Sequence, residues 1–161
     1  RHLGRIGLAN QTTMLMSESL DVQNMLRAAM VDRYGEAVLQ THLQAFDTIC
    51  SATQDRQDAV VALLRQAPVD LMLVIGGYNS SNTCNLARIC AESRPTFHVA
   101  DPDCLQSPDE IRHRPIGHKT EVATRGWLPA TGPVSIGLTS GASTPDNLVG
   151  AAIRQLEAFC G

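Results

Sequence analysis

The apolar run Leu71-Met72-Leu73-Val74-Ile75, set between Asp70 and Gly76-Gly77, constrains the fold of this chain more than any other feature. It is far short of the roughly 20 apolar residues a membrane helix requires, and it reads as one buried strand. Similar β-like runs occur at 3–9, 69–75, 96–100 and 134–138, each separated from the next by helical or turn-rich sequence. That alternation predicts an α/β fold.

Four helices are expected between and after these strands. Over 20–33, Val22, Met25, Leu26, Ala29 and Met30 share one helical face, and over 146–159 Val149, Ala152, Ile153, Leu156 and Phe159 do the same. Both read as amphipathic helices packed on something apolar. Ser51-Ala52-Thr53-Gln54 has capping-box spacing and announces a third, with Ala59, Val60, Leu63 and Leu64 inward and Pro68 past its end. A fourth follows Asn82, with Leu86, Ile89 and Cys90 inward, and stops before Arg94-Pro95. The segment 102–133 holds five of the eight prolines and has no clean period, so it reads as a long connection with short helical turns.

Composition narrows the class of protein. With 43% hydrophobic and 18% charged residues the chain reads as an ordinary globular one, which argues against membrane insertion, and its net charge of -3 without a basic stripe argues against nucleic acid as partner. Five cysteines, odd in number and without close pairing, read as reduced thiols rather than a disulfide framework. The first residues, Arg1-His2-Leu3-Gly4-Arg5-Ile6, run into an apolar segment without a starting Met or a leader composition, and sequence upstream is expected to be missing.

Two loops share one construction of strand, small polar loop and helix start: Gly76-Gly77-Tyr78-Asn79-Ser80-Ser81-Asn82-Thr83, and Thr139-Ser140-Gly141-Ala142-Ser143-Thr144-Pro145-Asp146. Glycine permits close backbone approach, while the free N–H groups and dipole of a helix start favour an anion such as phosphate. The same residues also fit plain helix capping, with Thr144 before Pro145 at one helix and Asn82 or Thr83 at the other. A third loop places Cys50 just before a helix start that would favour its thiolate, which suits a metal ligand, a nucleophile or an inert buried residue. A fourth, Ala9-Asn10-Gln11-Thr12-Thr13-Met14, is a polar run after a strand.

All four loops occur together and in order, and in that combination ANQTTM, TICSATQDRQ, GGYNSSNT and TSGASTPD resemble the IspH or LytB family of iron-sulfur reductases, in its C-terminal part. The spelling ANQTTML, the segment 77–83 and Trp127-Leu128-Pro129 resemble its cyanobacterial and plastid subgroup, as does the long insert after Thr13. The resemblance implies three small parallel-sheet α/β domains in pseudo-threefold order, with residues 1–46 ending the middle domain and 47–161 forming the third. It implies reductive dehydroxylation of 4-hydroxy-3-methylbut-2-enyl diphosphate to isopentenyl and dimethylallyl diphosphates in isoprenoid precursor synthesis.

The resemblance also implies a 4Fe-4S cluster held by three cysteines, of which Cys50 matches the last. Ser80, Asn82 and Ser143 match residues that hold the diphosphate, with Ser81 in the same loop. Thr12, between Gln11 and Thr13, matches a threonine at the reacting end of the substrate. The other two cluster cysteines and the family's histidine and glutamate set fall upstream of Arg1. None of His2, His42, His98, His113 and His118 falls in a matching motif, so each reads as structural or exposed, and Cys84, Cys90, Cys104 and Cys160 match no ligand. Ferredoxin is the implied electron donor, in bacterial cytoplasm or plastid stroma. Two competing readings are a non-catalytic diphosphate-binding or assembly domain without a cluster, and a hydrolase using Cys50 as nucleophile, which needs a His beside it as base.

Overall fold

The computed structural model describes residues 4–9, 16–46 and 51–160. It divides into two compact units, one running to Gln54 and the other beginning at Asp55.

In the first unit, β1 (Ile6–Ala9) is followed by α1 (Met16–Tyr34), a 3-10 turn (Glu36–Val38), the single-turn α2 (Leu39–His42) and β2 (Leu43–Phe46). β1 and β2 pair in parallel, Ile6 with Leu43 through Ala9 with Phe46. β2 was not among the expected strands. Its four residues carry too little pattern to stand alone, and pairing with β1 makes them a strand. His42 stacks on Tyr34 with ring centroids 3.9 Å apart, and its Nδ1 lies 2.6 Å from the Gly4 carbonyl. The expected apolar face of α1 is corrected: Met30 is buried at 4% exposure, whereas Met25 is 72% exposed, and Val22 and Ala29 are exposed as well. Helical spacing records which residues share a face, and only tertiary packing decides whether anything covers it.

The second unit holds α3 (Ser51–Gln66, whose first turn precedes Asp55), β3 (Leu71–Ile75), α4 (Ser81–Ala91), β4 (Thr96–Val99), a 3-10 turn (Pro102–Cys104), β5 (Glu110–His113), β6 (Val122–Arg125), β7 (Ile136–Ser140) and α5 (Asp146–Cys160). β3 is the centre of a three-stranded parallel sheet in the order β4-β3-β7. Every residue of β3 is buried, because its side chains alternate between two covered faces. Met72 and Val74 pack with Val60, Leu63 and Leu64 of α3 and with Leu86, Ala87 and Cys90 of α4. Leu71, Leu73 and Ile75 pack with Val99, Ile111, Trp127 and with Ala152, Leu156 and Phe159 of α5. Ile153, expected on that inner face, is 44% exposed.

The segment 102–133 corrects the expectation of a connection with helical turns. It has one such turn, but its main feature is the antiparallel hairpin of β5 and β6, paired from Glu110 with Arg125 to His113 with Val122. Glu110-Ile111-Arg112-His113 alternates half-buried and buried positions, and its prolines, Pro108 and Pro115, stand outside the strand, where they remove no ladder hydrogen bond. Trp127 anchors the region, buried at 4% exposure with Nε1 donating to the Ser107 carbonyl at 2.9 Å. β7 begins two residues later than expected, after Ser135 N–H donates to the Asp70 carboxylate at 2.8 Å.

Candidate functional site

The loops after β3 and β7 leave the same edge of the sheet, since the strands are adjacent and parallel with Ile75 opposite Ser140. The first loop leads into α4, on the Met72 and Val74 face, and the second into α5, on the opposite face. Connections that diverge to opposite faces from neighbouring strands leave a crevice beyond their carboxyl ends, where open α/β sheets bind ligands. Ser80, Ser81, Asn82 and Ser143 thus all come to this one edge.

The loops are locked together by Thr83 and Thr144. Gly76 has φ of +144°, which L side chains rarely adopt, and a Cβ there would lie 2.5 Å from Thr144 Oγ1. A Cβ on Gly141 would fall far inside the van der Waals contact distance of Thr83 Oγ1. Gly141 N–H donates to the Ile75 carbonyl at 3.0 Å, and Thr144 Oγ1 donates to the same carbonyl at 3.1 Å. The Thr144 hydroxyl therefore ties its loop to β3.

Ser80 is the N-cap of α4: its backbone is extended, and its Oγ accepts the Thr83 N–H at 3.3 Å. This replaces the expectation that Asn82 or Thr83 caps the helix. The N–H groups of the first turn that no cap engages point out of the helix start, where the dipole is positive. Ser81 and Ser143 are exposed and Ser80 is half-buried. Asn82 is different. It is 2% exposed, and neither its Oδ1 nor its Nδ2 has a hydrogen-bond partner among the described residues. A buried amide left unpaired costs about 1–3 kcal/mol, part of which a ligand that accepts from Nδ2 would offset.

The backbone leading to Ser80 is held by groups distant in sequence. His98 Nε2 lies 2.9 Å from the Gly76 carbonyl, which makes that nitrogen the donor. Burial pushes the His98 pKa below its ordinary value, the Gly76 carbonyl only partly opposing this, so the ring is a neutral donor. Arg114 donates to the Tyr78 carbonyl at 2.6 Å and lies over the Tyr78 ring, 4.7 Å from its centroid. The Tyr78 hydroxyl donates to Glu121 at 2.8 Å; burial first, and this carboxylate second, hold the phenol well above the ordinary tyrosine range. His98 was expected to be structural or exposed and is structural, while Arg114 and Glu121 were not singled out at all. Their signal is absent from local spacing, since Arg114 is 36 residues from Tyr78 and Glu121 is 43.

The positions expected at the reacting end and at the cluster, Gln11, Thr12, Thr13 and Cys50, lie outside the described residues. The family model for the LytB protein matches residues 2–157. This chain belongs to the LytB family. It is 48% identical over 157 residues to 4-hydroxy-3-methylbut-2-enyl diphosphate reductase of Gloeobacter violaceus, covering 97% of this chain and 37% of that protein. To the protein of the same name from Thermosynechococcus vestitus it is 43% identical over 160 residues, covering 99% and 39%. A solved structure of (E)-4-hydroxy-3-methyl-but-2-enyl diphosphate reductase, the terminal enzyme of the non-mevalonate pathway, superposes with a TM-score of 0.54 at 25% identity, over 96% of this chain and 44% of that one. The LytB chain thus spans 37% to 39% of the length of these curated relatives.

Among the described residues, no three His, Cys, Asp or Glu side chains of the LytB chain come together as a metal site. Cys84 donates its thiol to the Tyr78 carbonyl at 3.3 Å, and Cys104 is buried in the apolar core. Burial pushes the Cys90 thiol up to about 12, which keeps it protonated and unsuited to metal. Cys84, Cys90 and Cys104 therefore do not fit an iron-sulfur cluster. No helix among the described residues is long and apolar enough to cross a membrane.

Proposed function

We propose that this chain supplies the diphosphate-binding part of a reductase that converts 4-hydroxy-3-methylbut-2-enyl diphosphate into isopentenyl and dimethylallyl diphosphates. The observation that carries the reading is Asn82, a buried amide with both polar atoms unpaired, on the first turn of a helix at the crevice between β3 and β7. An anion with several acceptor oxygens takes hydrogen bonds from Nδ2, from the free N–H groups of the turn and from the serine hydroxyls, and a diphosphate has that form.

In this reading Ser80, Ser81, Asn82 and Ser143 hold the diphosphate, and Thr12 stands at the end of the substrate where the hydroxyl leaves. Family membership supports these assignments, with Cys50 as one of three thiolates for a 4Fe-4S cluster. That cluster would supply the two electrons that, with two protons, release the hydroxyl as water. The remaining ligands belong to a longer protein of which this chain forms the later part, residues 1–46 closing its middle α/β domain and 47–161 making the third. Ferredoxin is the proposed electron donor.

The test is a set of single Cys→Ser variants of the full protein that carries this sequence, purified anaerobically and compared for iron content, visible absorbance and turnover. Cys50→Ser loses iron and turnover, whereas Cys84→Ser, Cys90→Ser, Cys104→Ser and Cys160→Ser keep both near the parent level. Full iron and rate in Cys50→Ser would sink the assignment. Turnover of the diphosphate by the 161-residue chain alone, after cluster reconstitution, would show that no further ligands are required.

A further inference from the structure

The hairpin of β5 and β6 is not needed to complete the parallel sheet, yet the connection between its strands touches the candidate site. From one end of that connection, Arg114 takes the Tyr78 carbonyl at 2.6 Å and covers the Tyr78 ring. From the other, Glu121 takes the Tyr78 hydroxyl at 2.8 Å. Tyr78 is thereby gripped at its carbonyl, ring face and hydroxyl by one hairpin. The Arg114 N–H also donates to the His98 carbonyl at 2.9 Å, and His98 in turn holds the Gly76 carbonyl and meets the Tyr78 ring edge-on at 4.9 Å.

We propose that Arg114 is a positioning residue for the anion loop, with the hairpin acting as a brace that fixes the Gly76–Tyr78 backbone and through it the aim of Ser80 and Asn82. The inference rests on the diphosphate reading of the site. The physical reason lies in how few bonds the loop makes within itself. Ser80 N–H reaches the Gly77 carbonyl at 3.0 Å, and the carbonyls of Gly76 and Tyr78 on either side are engaged from outside the loop by His98 and Arg114. Cys84 Sγ also meets the Tyr78 carbonyl and lies 3.0 Å from Arg114, which joins the brace to the second turn of α4. A guanidinium can donate to a carbonyl while its plane covers a ring, whereas a lysine ammonium is a compact point charge that fits this double contact less well. Arg114 does not itself face the diphosphate in this reading. Its effect is to hold donors in the bound geometry before the ligand arrives, which is where preorganised sites gain affinity.

The experiment uses the full protein that carries this sequence. Inorganic diphosphate binding is measured by calorimetry for Arg114→Gln, Arg114→Lys, Tyr78→Phe and, as the control on the site itself, Asn82→Ala. KM and kcat are measured alongside, with thermal midpoints. Arg114→Gln is expected to weaken diphosphate binding and raise KM roughly tenfold, since a charged hydrogen bond is lost, with kcat held within about twofold. Arg114→Lys recovers part of that loss, and Tyr78→Phe, which removes only the hydroxyl held by Glu121, weakens binding less than Arg114→Gln. Parent-like binding in Arg114→Gln beside weakened binding in Asn82→Ala would overturn the brace and leave the site standing. Parent-like binding in Asn82→Ala would overturn the diphosphate reading, and the brace with it. Equal losses in Arg114→Gln and Arg114→Lys, with kcat and thermal midpoint falling together, would make Arg114 an ordinary structural residue and refute the proposal.

Discussion

The loop after β3 and the loop after β7 are spelled alike, with glycine, small hydroxyl residues and a helix start, but they are supported differently. The first takes its shape from a side-chain cap at Ser80 and from His98, Arg114 and Glu121, all supplied by later parts of the chain. The second is fastened through Gly141 and Thr144 to a single carbonyl, that of Ile75 at the end of β3. Its serine, Ser143, is exposed, while the amide of Asn82 in the first is enclosed. The difference teaches that the first loop is built as a rigid receptor and that the second borrows its position from the end of β3. Changes at the shared contact should disturb stability, and changes at the polar tips should disturb binding.

The largest effect is expected where the loops meet. Gly76→Ala introduces a Cβ at φ of +144° and 2.5 Å from the Thr144 hydroxyl that ties the second loop down. Strain and overpacking together cost on the order of 3 kcal/mol, read as a shift in the urea midpoint at unchanged slope. A loss well below 1 kcal/mol would break the idea that the loops interlock. Gly141→Ala, which has no positive φ but collides with Thr83, should cost less than Gly76→Ala.

Asn82→Ala comes next and separates binding from stability most sharply. Losing hydrogen bonds to a charged ligand costs about 1.5–3 kcal/mol, or roughly tenfold to a hundredfold in diphosphate affinity. The ligand-free protein should be hardly destabilised, because the amide removed had no described partner to lose. Calorimetric titration and urea unfolding of the same variant check both halves. A large loss of stability with unchanged affinity would mean that Asn82 is paired within the protein and is no ligand contact.

The two serines sharpen the comparison further. Ser80→Ala removes a cap as well as a ligand donor, so it should lose about 1 kcal/mol of stability together with diphosphate affinity. Ser143→Ala, exposed and outside any cap, should lose affinity while its stability stays within about 0.5 kcal/mol of the parent. Matching stability losses in the pair would erase the contrast between a built loop and a borrowed one.

The smallest expected effect concerns pH. Burial lowers the His98 pKa from its ordinary 6.5, so the folded protein prefers the neutral ring and the unfolded chain binds the proton first. The stability His98 contributes is present in full above pH 6.5 and is lost as pH falls from there toward the lowered value in the folded state. His113, also lowered by burial, adds a slope of the same sign. His98→Gln keeps a donor within reach of the Gly76 carbonyl without the titration, and should flatten the acid limb of a thermal midpoint against pH series. An unchanged limb would show that the first loop does not depend on a neutral His98.

Much of this arrangement was legible in the residues. The unbroken run at Leu71–Ile75 announced the central strand, since a strand covered on both faces needs no polar alternation. The helices at 51–66, 81–91 and 146–160 followed from apolar spacing, which acts over one or two turns, although the cap of α4 fell on Ser80 rather than on Asn82 or Thr83. The two polar loops were visible as candidate anion sites for the same reason: glycine, serine and asparagine before a helix are a local signal. What only the tertiary structure decided was contact across distance. The spacing in α1 could not report that Met25 lies exposed, nor could β2 be seen until it paired with β1. The hairpin at 110–125 was hidden by the prolines on either side of its first strand, and the grip of Arg114 and Glu121 on Tyr78 closes loops of 36 and 43 residues. Local pattern reflects energies between neighbours in the chain, whereas a brace of that kind exists only once packing has already brought its ends together.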